Sequence, residues 1–151
     1  MTRAEFAVYW GLEPRSTPLS IAMTTARVES SFNERAVGRE VSGQSYGLFQ
    51  FYSKYYPDAG SWDTMKQMRE YDKRMGAELK KRSVRDSFRK WNGAGPAAEA
   101  YADKCMAVME SEFKTEVHDV PLPPQQVAGR SISVLTIAGV VVGAFFLLKK
   151  R

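Results

Sequence analysis

The chain has 151 residues, 44% of them hydrophobic, which is enough for one domain with a modest core and an appendage. The formal net charge is +5, but acidic and basic residues nearly balance within residues 1–116, so bulk charge predicts no nucleic-acid partner. The single cysteine, Cys105, excludes an intrachain disulfide and is typical of a chain made in a reducing compartment. The sequence has no spacing typical of a metal site, and we expect no cofactor.

Two helices are predicted before residue 30. The first begins at a capping box formed by Thr2 and Glu5, and the second runs to Glu29 with Thr17 as its cap and Pro18 in its first position. At about 100° per residue, Glu29 falls near the middle of the apolar arc of this helix. A carboxyl there would be desolvated, which raises its pKa and suits a general acid for glycoside cleavage. The alternative is that Glu29 turns to water at a fraying helix end.

Helical periodicity stops after Glu29. Glycine and serine residues predict a flexible loop from Val37 to Gly43. Aromatic residues are dense in the following stretch: Tyr46, Phe49, Phe51, Tyr52, Tyr55 and Tyr56. Aromatic rings suit the apolar C–H faces of sugars, although we expect most of these rings in the core.

Three more helices are predicted in the rest of the first 116 residues. One runs from Asp63 to about Arg82 with a core-filling methionine stripe, and a short one follows its cap at Ser83 and carries Trp91. The last begins at Pro96 and buries a stripe of Ala97, Tyr101, Cys105, Val108 and Phe113. No sustained strand alternation is present, so the domain is predicted to be mostly α-helical.

The composition changes after residue 116. Residues 117–131 are rich in proline and lack periodicity, which predicts an extended linker. Ile132 to Leu148 carries no charge and would span about 25 Å as a helix, near the lower limit for crossing a lipid bilayer. The basic residues 149–151 can snorkel to headgroups. This pattern predicts a single C-terminal transmembrane helix, and the preceding linker disfavours the alternative of a helix buried in the domain.

Three segments of the predicted domain resemble those of a known enzyme family. They are E-S-S-F-N at Glu29 to Asn33, S-Y-G-L-F-Q at Ser45 to Gln50, and W-N-G-A-G-P at Trp91 to Pro96, which Tyr101 follows. In this order they resemble the lytic transglycosylases of the soluble, goose-lysozyme-like superfamily. The resemblance implies a lysozyme-like helical fold for residues 1–116 and a peptidoglycan-cleaving enzyme.

The resemblance also implies a mechanism with one carboxyl. Glu29 would protonate the glycosidic oxygen after N-acetylmuramic acid and then accept the proton of that sugar's C6 hydroxyl, which closes a 1,6-anhydro ring. The acetamido group of the substrate would assist in place of a second carboxylate. Substrate-binding residues implied around the cleft are Ser30, Gln50, Tyr52, Trp91 and Asn92.

Two positions depart from the family pattern. Gly38 stands where the family usually has a serine, nine positions after the acid. Trp91 stands where the family has a tyrosine beside Asn92, and it provides no phenolic hydroxyl. An indole can still stack on a sugar and donate one N–H.

Other functions remain open at this stage. A goose-type lysozyme would add water, and Asp58 and Asp63 are the carboxylates that could direct it, although both suit turns and caps. The chain could also be a non-catalytic, membrane-anchored glycan-binding assembly protein. The position of Glu29 on an apolar helix face disfavours this function, because a binding protein needs no desolvated acid. A basic cluster could meet peptidoglycan carboxylates or anionic lipid headgroups, or be a solvated face; it comprises Lys80, Lys81, Arg82, Arg85, Arg89 and Lys90.

The predicted anchor raises the question of location. The first residues are too polar for a signal peptide, which favours a domain that stays where it is synthesised. The terminal basic residues instead favour a cytoplasmic C-terminus and an external domain. The internal membrane of a bacteriophage virion reconciles the two, because it carries an enzyme made inside one host to the wall of the next. The bacterial inner membrane is the alternative.

Overall fold

A computed structural model of the chain describes residues 1–40 and 42–113. Five α-helices are present there: α1 (Arg3–Gly11), α2 (Leu19–Ser30), α3 (Thr64–Leu79), α4 (Val84–Asn92) and α5 (Pro96–Glu112). A short 3-10 helix covers Ala59–Ser61, and an antiparallel sheet has strands β1 (Val37–Glu40), β2 (Gly43–Tyr46) and β3 (Phe51–Tyr52) in that order. The prediction of a mostly α-helical domain is confirmed.

The predicted linker at 117–131 and the predicted transmembrane helix at 132–148 lie outside the described residues. Within residues 1–40 and 42–113, no helix combines the length and the apolar character needed to cross a membrane.

The starts of the first two helices are set by different contacts. The capping box of Thr2 and Glu5 is present as predicted. The start of α2 was predicted wrongly: Pro18 occupies the cap position, and the helix begins at Leu19. Thr17 does not cap the helix, because its N–H donates to Asp72 Oδ1 at 2.7 Å and its hydroxyl donates to the Asp72 carbonyl oxygen. These bonds fasten the start of α2 to α3.

The core centres on Tyr71 of α3, which is fully buried. Its ring stacks on Phe49 at 4.0 Å between centroids and meets the edge of Trp91 at 4.9 Å. Its hydroxyl is 2.7 Å from the Thr25 hydroxyl on α2. Aromatic contacts of this kind add to the apolar burial. The contacts of Tyr71 therefore join α2, α3, α4 and the 47–50 segment.

The segment predicted as a flexible loop forms a β-hairpin. Strands β1 and β2 pair with Gly38 opposite Ser45, and β2 pairs with β3 with Ser45 opposite Tyr52. Sequence periodicity missed the hairpin because its residues are mostly exposed and Ser45 alone is buried in the first two strands. Without a buried apolar face, a strand leaves no alternation in the sequence.

The buried stripes of α3 and α5 follow the predicted periods with one shift. Met68 and Met75 of α3 are fully buried, as expected. In the predicted stripe of α5, Cys105 and Phe113 are buried as expected, whereas Tyr101 and Val108 are half-buried. The prediction that Ala97 is buried was wrong: Ala98 and Ala102 are buried instead. The apolar pattern at the first turn of α5 is all alanine, so it could not distinguish neighbouring faces.

Candidate active site

Glu29 lies in the last turn of α2, just before the chain turns sharply. Ser31 and Phe32 both adopt left-handed conformations, at φ values of 52° and 65°. Phe32 is held there by a bond from its N–H to the Ala26 carbonyl oxygen and by an edge contact between its ring and Phe6. Left-handed backbone costs free energy in residues other than glycine, so it persists only where surrounding contacts enforce it. The turn fixes where the Glu29 side chain leaves the helix.

Two donors from different helices bind the same oxygen of Glu29. The indole Nε1–H of Trp91 donates to Glu29 Oε1 at 3.1 Å, and the Tyr101 hydroxyl donates to it at 2.8 Å. Burial raises the pKa of Tyr101 well above its ordinary value, so this hydroxyl keeps its proton and remains a donor. The position of the carboxyl is therefore determined by α2, α4 and α5 together.

The surroundings of Glu29 raise its pKa to about 7. Burial is the main cause, and the negative charge of Glu40 acts in the same direction. The bonds from Tyr101 and Trp91 and the positive charge of Lys104 oppose it. The prediction of a desolvated carboxyl with a raised pKa is confirmed. At neutral pH a large share of the molecules hold this carboxyl in its neutral form, as a general acid requires.

The same bonds decide which oxygen carries the proton. Oε1 accepts two hydrogen bonds, which occupies both of its lone pairs. The acidic proton of neutral Glu29 therefore resides on Oε2, to which no other described side chain donates a hydrogen bond. A group with one oxygen fixed and the other free can deliver a proton and later receive one.

The Glu29 side chain lines a cleft of about 400 Å³, a size that suits a small-molecule site. The cleft is also lined by Glu40, Gln50, Phe51, Tyr52, Tyr55, Tyr56, Arg74, Lys90, Trp91, Asn92 and Gly93. Of the six residues predicted for the site, five therefore share one cleft. Ser30 is not among its lining residues.

The side chains of Ser30 and Gln50 form hydrogen bonds with neighbouring protein groups. The Ser30 hydroxyl donates to the Leu48 carbonyl oxygen at 2.9 Å, which ties α2 to the 47–50 segment. The Gln50 amide donates to the Gly47 carbonyl oxygen at 2.9 Å and accepts from the Ser45 hydroxyl at 2.8 Å. Both side chains are thus used within the protein, although Gln50 also faces the cleft.

Trp91 is mainly a core residue with one edge at the site. Its side chain is 9% exposed, and its ring meets Phe51, Tyr71 and the guanidinium of Arg74. These contacts occupy the ring that was expected to stack on sugar, and the N–H is directed to Glu29. A phenolic hydroxyl is present at the site on Tyr101, which donates to Glu29 Oε1.

Other rings and amides are more open to a ligand. Tyr55 is 69% exposed at the cleft and offers an aromatic face to a sugar. Tyr52 is half-buried, and its hydroxyl lies 2.6 Å from that of Ser42. Asn92 is exposed, and no hydrogen bond of its side chain is found within residues 1–40 and 42–113.

Glu40 is a second carboxylate in the cleft that the sequence analysis missed. It is exposed at the end of β1 and accepts a hydrogen bond from Ser45 at 3.2 Å. The two aspartates considered from sequence lie elsewhere. Asp63 caps α3 by accepting the Lys66 N–H at 2.7 Å, and Asp58 pairs with the Lys66 ammonium at 3.0 Å. Neither aspartate lines the cleft that contains Glu29.

A larger hollow of about 540 Å³ contains none of the predicted site residues. It is lined by residues 34–37, 46–47, 59–64 and 67, including Asp63. We place the candidate active site in the smaller cleft, because that cleft holds the carboxyl with the perturbed pKa.

Comparisons add no assignment to these observations. No protein-family model, curated protein or solved structure matches the chain. Within the described part of the chain, no three His, Cys, Asp or Glu side chains are grouped so that they could hold a metal ion.

Proposed function

We propose that the protein is a lytic transglycosylase of the soluble, goose-lysozyme-like superfamily that cleaves peptidoglycan glycan strands with Glu29 as its acid and base. One observation carries the proposal: the Glu29 carboxyl has a pKa of about 7 and is held through a single oxygen by Trp91 and Tyr101. That arrangement leaves a proton on Oε2 in a large share of the molecules at neutral pH. The three resembling segments support the same assignment, since all three contribute residues around this carboxyl.

The chemistry begins with proton transfer from Glu29 Oε2 to the glycosidic oxygen after N-acetylmuramic acid. The C1–O bond breaks, and the acetamido group of the same sugar stabilises the positive charge that develops at C1. Glu29, now a carboxylate that still accepts from Trp91 and Tyr101, takes the proton of the C6 hydroxyl while O6 bonds to C1. The C6 hydroxyl is already part of the reacting ring, so it has an advantage of proximity over water.

A second candidate, hydrolysis as in goose-type lysozymes, is favoured by Glu40. Inverting glycosidases use one carboxyl as an acid and another to activate water on the opposite face of the sugar. Glu40 lines the same cleft as Glu29 and comes from the sheet, whereas Glu29 comes from a helix. The exposure of Glu40 and its bond to Ser45 leave it able to bind water.

The test is cleavage of purified murein by the wild-type chain and by Glu29→Gln. The variant keeps the shape of the acid and should lose about 10²- to 10⁴-fold in rate. Binding of murein without cleavage by the wild type would instead support the glycan-binding protein. Product ends then separate the two enzymes: 1,6-anhydro ends resist borohydride and are one water lighter by mass spectrometry, whereas hydrolysis leaves reducible ends. Predominantly reducible ends that disappear in Glu40→Gln would establish the lysozyme alternative.

We also propose that the protein is anchored in a membrane by residues 132–148, in the internal membrane of a virion or in the bacterial inner membrane. The uncharged apolar stretch with a basic end supports the anchor. Lipid and this chain found together in purified phage particles would establish the virion location. Recovery of the chain only in the inner-membrane fraction of uninfected cells would support the alternative.

A further inference from the structure

Two positively charged side chains line the Glu29 cleft. Arg74, half-buried on α3, lies over the Trp91 ring with its guanidinium carbon 4.5 Å from the centroid, and it donates to the Trp91 carbonyl oxygen at 3.3 Å. Lys90 is exposed in the last turn of α4. In the described part of the chain, neither of them forms an ion pair. Both therefore present an uncompensated charge to the cleft.

The arginines of the basic cluster next to this cleft are neutralised. Arg82 pairs with Glu78 at 2.7 Å, Arg85 with Asp103 at 2.7 Å, and Arg89 with Glu99 at 3.4 Å. These three side chains therefore form ion pairs within one helix or between two helices. Lys80 and Lys81 are exposed outside the cleft.

The cleft thus carries both signs of charge. Glu29 and Glu40 supply the acidic groups, and Arg74 and Lys90 supply the basic ones. An uncharged sugar needs no cation, but the stem peptides on N-acetylmuramic acid carry carboxylates. Those carboxylates would be repelled beside Glu40 and attracted beside the two cations. Arg74 is already ordered by its contacts with Trp91, so binding an anion costs it little conformational freedom.

We propose that Arg74 and Lys90 form an anion subsite that binds stem-peptide carboxylates, so that the enzyme prefers glycan strands that bear charged peptides. This inference rests on the proposed function, since it names the part of the substrate that the same cleft recognises. The subsite selects the substrate and takes no part in proton transfer.

The experiment compares two forms of murein: intact sacculi, and sacculi whose carboxylates have been converted to uncharged methylamides. Cleavage of both forms by the full chain gives KM and kcat. Sedimentation of inactive Glu29→Gln with each form gives binding that does not depend on activity. The variants are Lys90→Gln, Arg74→Gln and Arg74→Lys, with Lys73→Gln and Lys80→Gln as controls, because Lys73 and Lys80 are exposed lysines of the same region outside the cleft.

Glu29→Gln should bind intact murein roughly tenfold more tightly than the amidated form, and the active chain should show the same difference in KM. Lys90→Gln and Arg74→Gln should shrink this ratio, Arg74→Lys should keep part of it, and the two controls should leave it near the wild-type value. Equal binding of both murein forms would overturn the subsite while leaving the proposed function intact. An equal loss in the controls would also overturn it, because the preference would then reflect overall charge. Cleavage of neither form would refute the proposed function, and sedimentation would still decide the subsite.

Discussion

Replacing Glu29 with Gln should stabilise the folded domain at alkaline pH while it removes the acid. Burial raises the pKa of Glu29 to about 7 from an ordinary value of 4.5. Between these two values the folded state binds more protons than the unfolded chain, so the free energy of unfolding falls as the pH rises through this interval. Gln has the shape of the protonated acid and carries no charge at any pH. The variant therefore escapes the loss that the wild type suffers.

The magnitude follows from the two pKa values. One pKa unit corresponds to ~1.4 kcal/mol, so an interval from 4.5 to about 7 gives a difference of about 3.5 kcal/mol at most. Below pH 4.5 both proteins hold a neutral group there, and their difference in stability should be small. The Gln oxygen can accept the same two hydrogen bonds from Trp91 and Tyr101, so the comparison isolates the charge.

Urea unfolding of both proteins at pH 4, pH 5.5 and pH 8 measures the effect. The stability of Glu29→Gln relative to wild type should rise along this series and level off above pH 7. Glu70→Gln, which removes a carboxylate of α3 outside the cleft, is the control for a general effect of lost negative charge. A difference between Glu29→Gln and wild type that stays constant from pH 4 to pH 8 would refute the argument that burial of this carboxyl raises its pKa.

Three further predictions test other parts of the molecule. Tyr101→Phe removes a hydrogen bond that lowers the pKa of Glu29. The alkaline limb of the pH profile of kcat/KM should therefore move to higher pH, and a move to lower pH would contradict the effect of Tyr101 on this pKa. Gly38→Ser should destabilise the domain by ~1–3 kcal/mol in thermal or urea unfolding, because a Cβ there would lie 2.4 Å from both the Ser45 hydroxyl oxygen and Gln50 Oε1. Ser45→Ala should restore part of the loss, and an unchanged melt of Gly38→Ser would be inconsistent with this packing. A chain ending at residue 116 should stay folded without detergent. The full chain should need detergent, because its apolar stretch at residues 132–148 is costly to expose to water. Unfolding on truncation would indicate that this stretch belongs to the core.

The environment of Glu29 could be predicted because helical periodicity is a local property. The angular position of a residue on one helix follows from sequence alone, and it placed this carboxyl on the buried side. The position of Glu40 could not be predicted in this way. It reaches the cleft through the pairing of β1 with β2, and that pairing has no apolar alternation to reveal it.

Tyr101 shows a different limit of the sequence argument. Its position in the predicted stripe of α5 suggested a buried core side chain, but the residue is only half-buried. The hydroxyl at its tip nevertheless reaches Glu29, because a tyrosine has an apolar body and a polar end. Trp91 is similar, with its ring in the core and its N–H at the site. A pattern that classifies whole residues as core or site cannot separate the two ends of such side chains.

Trp91 on α4 and Tyr101 on α5 meet at one oxygen of Glu29, and the connection between these two helices is short. Gly93 and Gly95 make that connection at φ values of 131° and 84°, which residues with a Cβ rarely adopt, and Pro96 then opens α5. The W-N-G-A-G-P segment therefore contributes to the site in two ways. Its tryptophan donates a hydrogen bond to Glu29, and its glycines connect α4 to α5, the helix that carries Tyr101. Both donors bind Oε1, which leaves Oε2 to carry the proton of neutral Glu29.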